Sequence, residues 1–251
     1  MVFHIITLFP EAFGSYLKES IIGRALGKAN QHGSKRRLTL IKANKHKLIS
    51  VKFYNPRDFV KNAKGKDKNY RQVDDRPYGG GPGMVMQIEP LVKAVQSAKS
   101  KIKNQKSKIK VVLFEAGGKQ FDNKKAKNLA KSYTDLILVC GRYEGIDARL
   151  KKVIKDQGLS VDELSIGPYV LTGGELAAEI VIDSVSRQIP GVLHKTDSLE
   201  EKRFGIGVPS YTRPETFKFK RKIYKVPKIL LSGHQAKIKE WKKIRIPRIK
   251  Y

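Results

Sequence analysis

Apolar positions along this chain alternate between short β-branched runs and stripes of helical spacing. Residues 2–8 (VFHIITL), closed off by Pro10, predict a buried strand. Residues 20–29 carry Ile21, Ile22, Ala25 and Leu26 as an approximate helical stripe, and residues 37–43 alternate as a second strand. Asn55-Pro56 reads as a turn entering a short helix, with proline at a first-turn position. Residues 61–76 hold almost no large apolar side chains and predict a loop. They run into DDRPYGGGPGM (74–84), whose glycines and prolines exclude a regular element. A helix is expected over 89–98, followed by a lysine-rich surface segment over 97–110.

From Val111 onward strand and helix patterns take turns. Strands are expected over 111–114 and 135–140, with helices over 122–132 and 145–155. A strand-like start at 164–166 leads through a glycine-bearing loop into a helix over 176–187. Strands separated by helices imply a parallel sheet flanked by helices, an α/β fold. Ligands bind such sheets beyond the carboxyl ends of the strands. Gly117 and Gly118, Gly141 and Gly145, and Gly167, Gly173 and Gly174 each follow one of three expected strands, which predicts one shared pocket.

After Leu193 the pattern breaks. The expected organisation is an α/β domain over 1–193, a polar linker over 194–214, and a small basic helical domain over 215–251. The last has Leu230, Leu231, Ile238, Trp241 and Ile244 as candidate buried positions.

Charge narrows the class of partner. There are 52 lysines and arginines against 23 aspartates and glutamates, a net +29, which attracts polyanions and points to nucleic acid. A general lysine bias accounts for part of this excess. One cysteine, Cys140, excludes an intrachain disulfide and fits a reducing compartment. No apolar run is long enough for a membrane span, and the opening residues read as a core strand rather than a signal peptide, so a cytoplasmic protein without a membrane partner is expected. There is no P-loop and no dinucleotide-binding glycine fingerprint. The five histidines do not fall at metal-ligand spacing, so no metal site is expected from them. Taken singly, Gly79 to Gly83 reads as a flexible loop, Gly173-Gly174 as a turn, and Arg187 as half of a surface ion pair.

Several longer motifs occur together in one order: ITLFPEAF (6–13), DDRPYGGGPGMVM (74–86), CGRYEGID (140–147), ELSIGPYVLTGGELAAE (163–179), IDSVSRQIPGVL (182–193), YTRPE (211–215) and LLSGHQAKIKEW (230–241). With them the chain closely resembles, over nearly its whole length, the bacterial tRNA (guanine-N1)-methyltransferases. These belong to the class with a deep trefoil knot in the cofactor site (SPOUT-like). The resemblance implies a homodimer that uses S-adenosyl-L-methionine to methylate N1 of the guanosine 3′ of the tRNA anticodon, position 37. It implies cofactor contacts at Leu113, Phe114, Gly118, Gly141, Glu144, Ser165, Ile166, Tyr169, Leu171, Gly173 and Gly174. Arg187 matches the family's catalytic arginine, and Asp75, Tyr78 and Arg213 fall in segments implied to meet tRNA. A benefit from Mg2+ is also implied, with no ligand cluster to identify its site.

Two positions depart from the family pattern. Pro168 stands where the cofactor loop commonly has Asp, and Lys202 occupies the position of the family's catalytic Asp. Guanine N1 must lose a proton, so a positioned carboxylate is needed. Glu201 and Glu200 are the nearest, with Asp197 a weaker candidate. Two other readings compete: a knotted methyltransferase for another RNA, and an RNA-binding homologue with weakened catalysis.

Overall fold

A computed structural model describes residues 1–27, 47–60, 71–193, 199 and 207–244. The strand expected over 37–43, residues 61–70 of the loop over 61–76, and Asp197, Glu200, Glu201 and Lys202 lie outside the described residues. The chain divides into two compact units, Met1–Val192 and Leu193–Tyr251.

The first unit is built on five strands: β1 (Val2–Ile6), β2 (Ser50–Tyr54), β5 (Ile109–Gln120), β6 (Asp135–Val139) and β7 (Ser160–Ser165). They form one sheet in the order β2-β1-β6-β5-β7, and every pairing is parallel. Two two-residue strands, β3 (Asp74–Asp75) and β4 (Val85–Met86), pair antiparallel beside it. Strand β2 is an addition to the sequence expectation. Its lysine and its half-exposed Phe53 suit an edge position, where a weak apolar alternation carries little signal.

Because successive side chains of a strand point to opposite faces, the sheet builds two cores. Phe3, Ile5, Val112, Leu136 and Leu138 face one layer, filled by α1 (Ser20–Ala25), α3 (Asn123–Ser132) and α5 (Glu175–Arg187). Ile6, Val111, Leu113, Ile137 and Val139 face the other, filled by α2 (Ile88–Ser100) and α4 (Arg149–Asp156). Each helix places apolar side chains three and four apart on its inner face: Leu91, Ala94, Val95 and Ala98 on α2, and Ala178, Val181, Ile182 and Val185 on α5. The start of α3 is set by the Asp122 carboxylate, which accepts from the Lys125 amide at 2.7 Å. Asn55 does the same for the short 3₁₀ turn Pro56–Phe59.

Several boundaries differ from expectation, β7 beginning at Ser160 rather than Leu164 among them, and three of the differences have a plain physical reason. Strand β5 does not stop at Phe114. It continues to Gln120 after an excursion, with both Phe114 and Lys119 in register with Leu164 of β7. Gly117 and Gly118 therefore lie within the strand span rather than after it. The segment 74–86, expected to hold no regular element, closes on itself through the β3–β4 ladder. Helix α4 begins at Arg149 rather than Gly145, because the residues before it are tied to β4: Met86 donates its amide to Gly145 O, and Asp147 donates to Met86 O.

In the second unit the hairpin β8 (Thr216–Phe219) and β9 (Lys222–Lys225) precedes two helices, α6 (Lys228–Leu231) and α7 (Gln235–Ile244). The helices match expectation, and the hairpin was not anticipated. None of the five candidate core positions is buried there: Leu231 and Ile244 are 48% and 75% exposed, and Leu230, Ile238 and Trp241 are half-buried.

Candidate functional site

The carboxyl ends of β5, β6 and β7 converge, because β5 lies between the other two. The chain leaving β6 passes through Cys140, Gly141 and Arg142. The chain leaving β7 runs through residues 166–174 into α5. The two come together where the Gly174 amide donates to Gly141 O at 2.9 Å. A β-carbon on Gly174 would stand 2.7 Å from the Cys140 Cα, so only glycine allows this approach.

Between these segments lies a cavity of about 180 Å³. Its walls hold nine of the positions expected to meet a cofactor: Phe114, Gly141, Glu144, Ser165, Ile166, Tyr169, Leu171, Gly173 and Gly174. The other two, Leu113 and Gly118, line an adjoining cavity of about 380 Å³. Glu115 faces both cavities, so the β5 excursion stands between them. The smaller volume alone is below the roughly 300 Å³ usual for a ligand site. The two cavities together fall within that range. The larger volume is flanked by Asp147 and by the Lys151–Glu163 ion pair. Burial, and then the Glu163 charge, push the Glu115 carboxyl upward, with Lys151 opposing.

The segment 74–86 is stitched to the same place. Glu144 donates its amide to Met84 O at 2.9 Å, and Met86 and Ile146 form a parallel bridge. Gly83 has φ +83°, and a β-carbon there would meet the Glu144 side chain at 2.5 Å. Glu144 therefore belongs both to the cavity wall and to the base of the glycine-rich loop. From that base the loop reaches outward: Tyr78 is fully exposed, and Asp75 is exposed, its carboxylate accepting from the Arg76 amide. Arg213 lies in the second unit.

Arg187 is the last residue of α5. It is about 18 Å along the helix axis from Glu175 beside the cavity, at 1.5 Å per residue. The turn beyond it lies against Leu48, ahead of β2, at the opposite edge of the sheet. One copy of the chain therefore does not bring Arg187 into the cavity wall. Cys140 is wholly buried, and burial, then the Glu175 charge, push its thiol well up, as suits a packing residue. His4 is a core residue held by Tyr54 and Asp135. Among the described residues no group of three or more His, Cys, Asp or Glu is arranged to hold a metal. No helix among them is long and apolar enough to cross a membrane.

Residue-type reasoning did not single out Arg142, Tyr143, Thr172 and Ala177, which also line the cavity. Their signal was their place inside the CGRYEGID and LTGGELAAE motifs. Tyr143 holds φ +61°, a conformation that non-glycine residues keep only where the surroundings enforce it.

Many known proteins resemble this chain in sequence. The tRNA (guanine-N(1)-)-methyltransferase of Buchnera aphidicola subsp. Acyrthosiphon pisum is 42% identical over 244 residues, 96% of this chain and 87% of its own. That of Clostridioides difficile is 42% identical over 248 residues, 97% of this chain and 91% of its own. That of Geobacter sulfurreducens is 40% identical over 246 residues, 97% and 85%. The sequence profile of the family described as tRNA (Guanine-1)-methyltransferase TrmD matches residues 32–248. The glycine-walled cavity at three parallel strand ends thus sits in a chain that belongs to the tRNA (guanine-1)-methyltransferase TrmD family.

Proposed function

We propose that this protein transfers a methyl group from S-adenosyl-L-methionine to N1 of the guanosine at position 37 of tRNA, in the cytoplasm and as a homodimer. The observation that carries the reading is the gathering of Phe114, Gly141, Glu144, Ser165 and the Gly173-Gly174 pair around one cavity. The fit to the cofactor is chemical. Glycines let backbone amides and carbonyls reach a ligand, Leu164, Ile166, Leu171 and Ala177 offer apolar contact to a base, and Glu144 offers a carboxylate to a cationic group. When bound, the cofactor supplies an electrophilic methyl group on a sulfonium. In the family this pocket is a trefoil knot, and we extend that topology to this chain.

The chain's own residues do the rest. Glu201 or Glu200 accepts the N1 proton in place of the family's Asp, since Lys202 cannot act as an acceptor while charged. The Arg187 guanidinium stabilises negative charge that develops on guanine O6 as N1 is deprotonated. Asp75, Tyr78 and Arg213 contact the RNA. Magnesium assists transfer, with no ligand assigned to it among the described residues. Support for the dimer comes from two observations. Arg187 is remote from the cavity of its own chain, so a second copy is what would bring an arginine over it. The outer face of α5 also exposes Leu176 and Ile180, one helical turn apart, at 58% and 41%.

The test is methyl transfer from labelled S-adenosylmethionine to tRNA transcripts with G or A at the target position, with the modified base identified. Transfer to N1 of G only is the expected result. Equal transfer to the A-bearing transcript, or to ribosomal RNA alone, sinks the reading. Replacing Glu201 and Glu200 by Gln, singly and together, is expected to lower turnover by about 10²-fold or more for whichever residue is the base. Unchanged turnover in the double variant removes both from the mechanism. A fully active monomer in sedimentation removes the dimer.

A further inference from the structure

Beside the cavity, at the start of α5, a carboxylate is buried that the proposed chemistry does not use. Glu175 is 5% exposed. Its Oε1 accepts from the Thr7 hydroxyl at 2.7 Å, and its Oε2 lies 3.0 Å from Arg142 Nε. That second contact is an ion pair without hydrogen-bond alignment, since neither atom has a hydrogen-bond partner among the described residues. Thr7 is itself wholly buried, and its hydroxyl oxygen also accepts from the Phe9 amide at 2.9 Å. The Arg142 guanidinium lies over the Phe9 ring at 4.6 Å, and Nη1 donates to Thr172 O at 3.3 Å. A β-carbon on Gly173 would stand 2.4 Å from Arg142 Nε, so the loop closes directly onto this side chain.

These contacts join three segments that share no strand: the turn after β1, the turn after β6, and the loop before α5. We propose that Thr7, Arg142 and Glu175 form a positioning network that holds the 166–174 loop in its ligand-ready shape, with Arg142 as the tie between Thr172 and the buried carboxylate. The inference rests on the S-adenosylmethionine reading of the cavity. Glu175 sits in the first turn of α5, where a negative charge is favoured by the helix dipole. Buried, it requires a cation and a donor, and Arg142 and Thr7 supply them. Because Arg142 also lines the cavity, loop geometry and charge compensation are linked through one guanidinium. A cofactor loop held in this way loses less entropy on binding than a loose one.

The experiment compares wild type with Arg142→Lys, Arg142→Met, Glu175→Gln and the double variant Arg142→Met/Glu175→Gln. Three quantities are read: the melting temperature, hydrogen exchange at the Gly174 amide without ligand, and calorimetric affinity for S-adenosylmethionine. Arg142→Met leaves a buried charge uncompensated and is expected to lower the melting temperature. The double variant removes both charges and is expected to recover most of that loss. It should nevertheless exchange Gly174 about tenfold faster and bind S-adenosylmethionine about tenfold more weakly, because the Thr172 tie is gone. Arg142→Lys should recover stability more fully than affinity, since an ammonium lacks the guanidinium's fork. Wild-type exchange and affinity in the double variant overturn the network, as does affinity that only follows the melting temperature across the series. Wild-type protein that binds no S-adenosylmethionine overturns the cofactor reading, and is told apart by the ligand-free exchange measurement.

Discussion

Every side chain of β6, from Asp135 to Val139, is buried, and every side chain of β8 and β9 is exposed. The first strand lies in the centre of a sheet covered on both faces. The hairpin belongs to a unit whose helices bury no side chain either. Phe217, Phe219, Ile223 and Tyr224 remain more than half exposed, beside a loose Tyr211–Trp241 ring contact at 6.4 Å. A stretch of this size has too little interior to close a core. The first unit therefore has cores of its own and carries the cavity. The second, taken by itself, leaves the side chains of its described strands exposed and those of its helices unburied.

Removing residues 194–251 tests that division most sharply. The scaffold should still fold and bind S-adenosylmethionine. Methyl transfer should fall by about 10³-fold or more, since the candidate base and the unit proposed to contact RNA through Arg213 leave together. A truncated protein with near-native turnover would erase the functional contrast between the units.

Core deletions come next. Leu136→Ala is expected to cost about 2–5 kcal/mol in denaturant unfolding, because Leu136 is wholly buried in the α1–α3–α5 layer. Phe217→Ala in the same chain should cost less than about 0.5 kcal/mol unless a partner covers it. Equal costs would mean that the hairpin is packed in solution.

A smaller effect lies in the pH dependence of the scaffold. His4 is wholly buried between Tyr54 at 2.9 Å and Asp135 at 3.2 Å. Burial lowers its pKa below 6.5, against the opposing hydrogen bond and charge of Asp135, with Lys52 and Lys101 adding to the lowering. With the folded pKa below the unfolded value, the unfolded chain takes up the proton first. This stability is present above about pH 6.5 and is lost as pH falls toward the folded pKa, at no more than ~1.4 kcal/mol per pH unit. Unfolding titrations of wild type and His4→Asn should differ in slope over that window and not above it. Parallel curves would dismiss the role. Smallest of all, breaking the exposed Glu89–Lys93 pair on α2 should cost about 0.5 kcal/mol or less.

The scaffold was legible because its periodicities are strong. Phe3, Ile5, Leu136 and Leu138 alternate with residues of the opposite core, and a parallel sheet follows from runs of that kind between helical stripes. Strand β2 escaped notice because an edge strand with one buried side chain, Tyr54, writes little pattern. The excursion in β5 was hidden for a related reason. Glu115 to Gly118 look like a strand end in sequence, and only the pairing of Lys119 with Leu164 resumes the ladder. The candidate site was legible in its glycines and its motifs. Thr7 and Glu175 were not, since their meeting depends on a contact across 168 positions of chain.

Local chemistry therefore determined the α/β class, the basic character, the glycine positions and, through the motifs, the family. These follow from which residues neighbour one another along the chain. Only the tertiary structure decided that β5 lies between β6 and β7, that two cavities flank the β5 excursion, and that Arg187 stands at the far end of α5 from them. Those facts depend on strand order and close backbone approach, which arise when distant segments compete to bury the same surface.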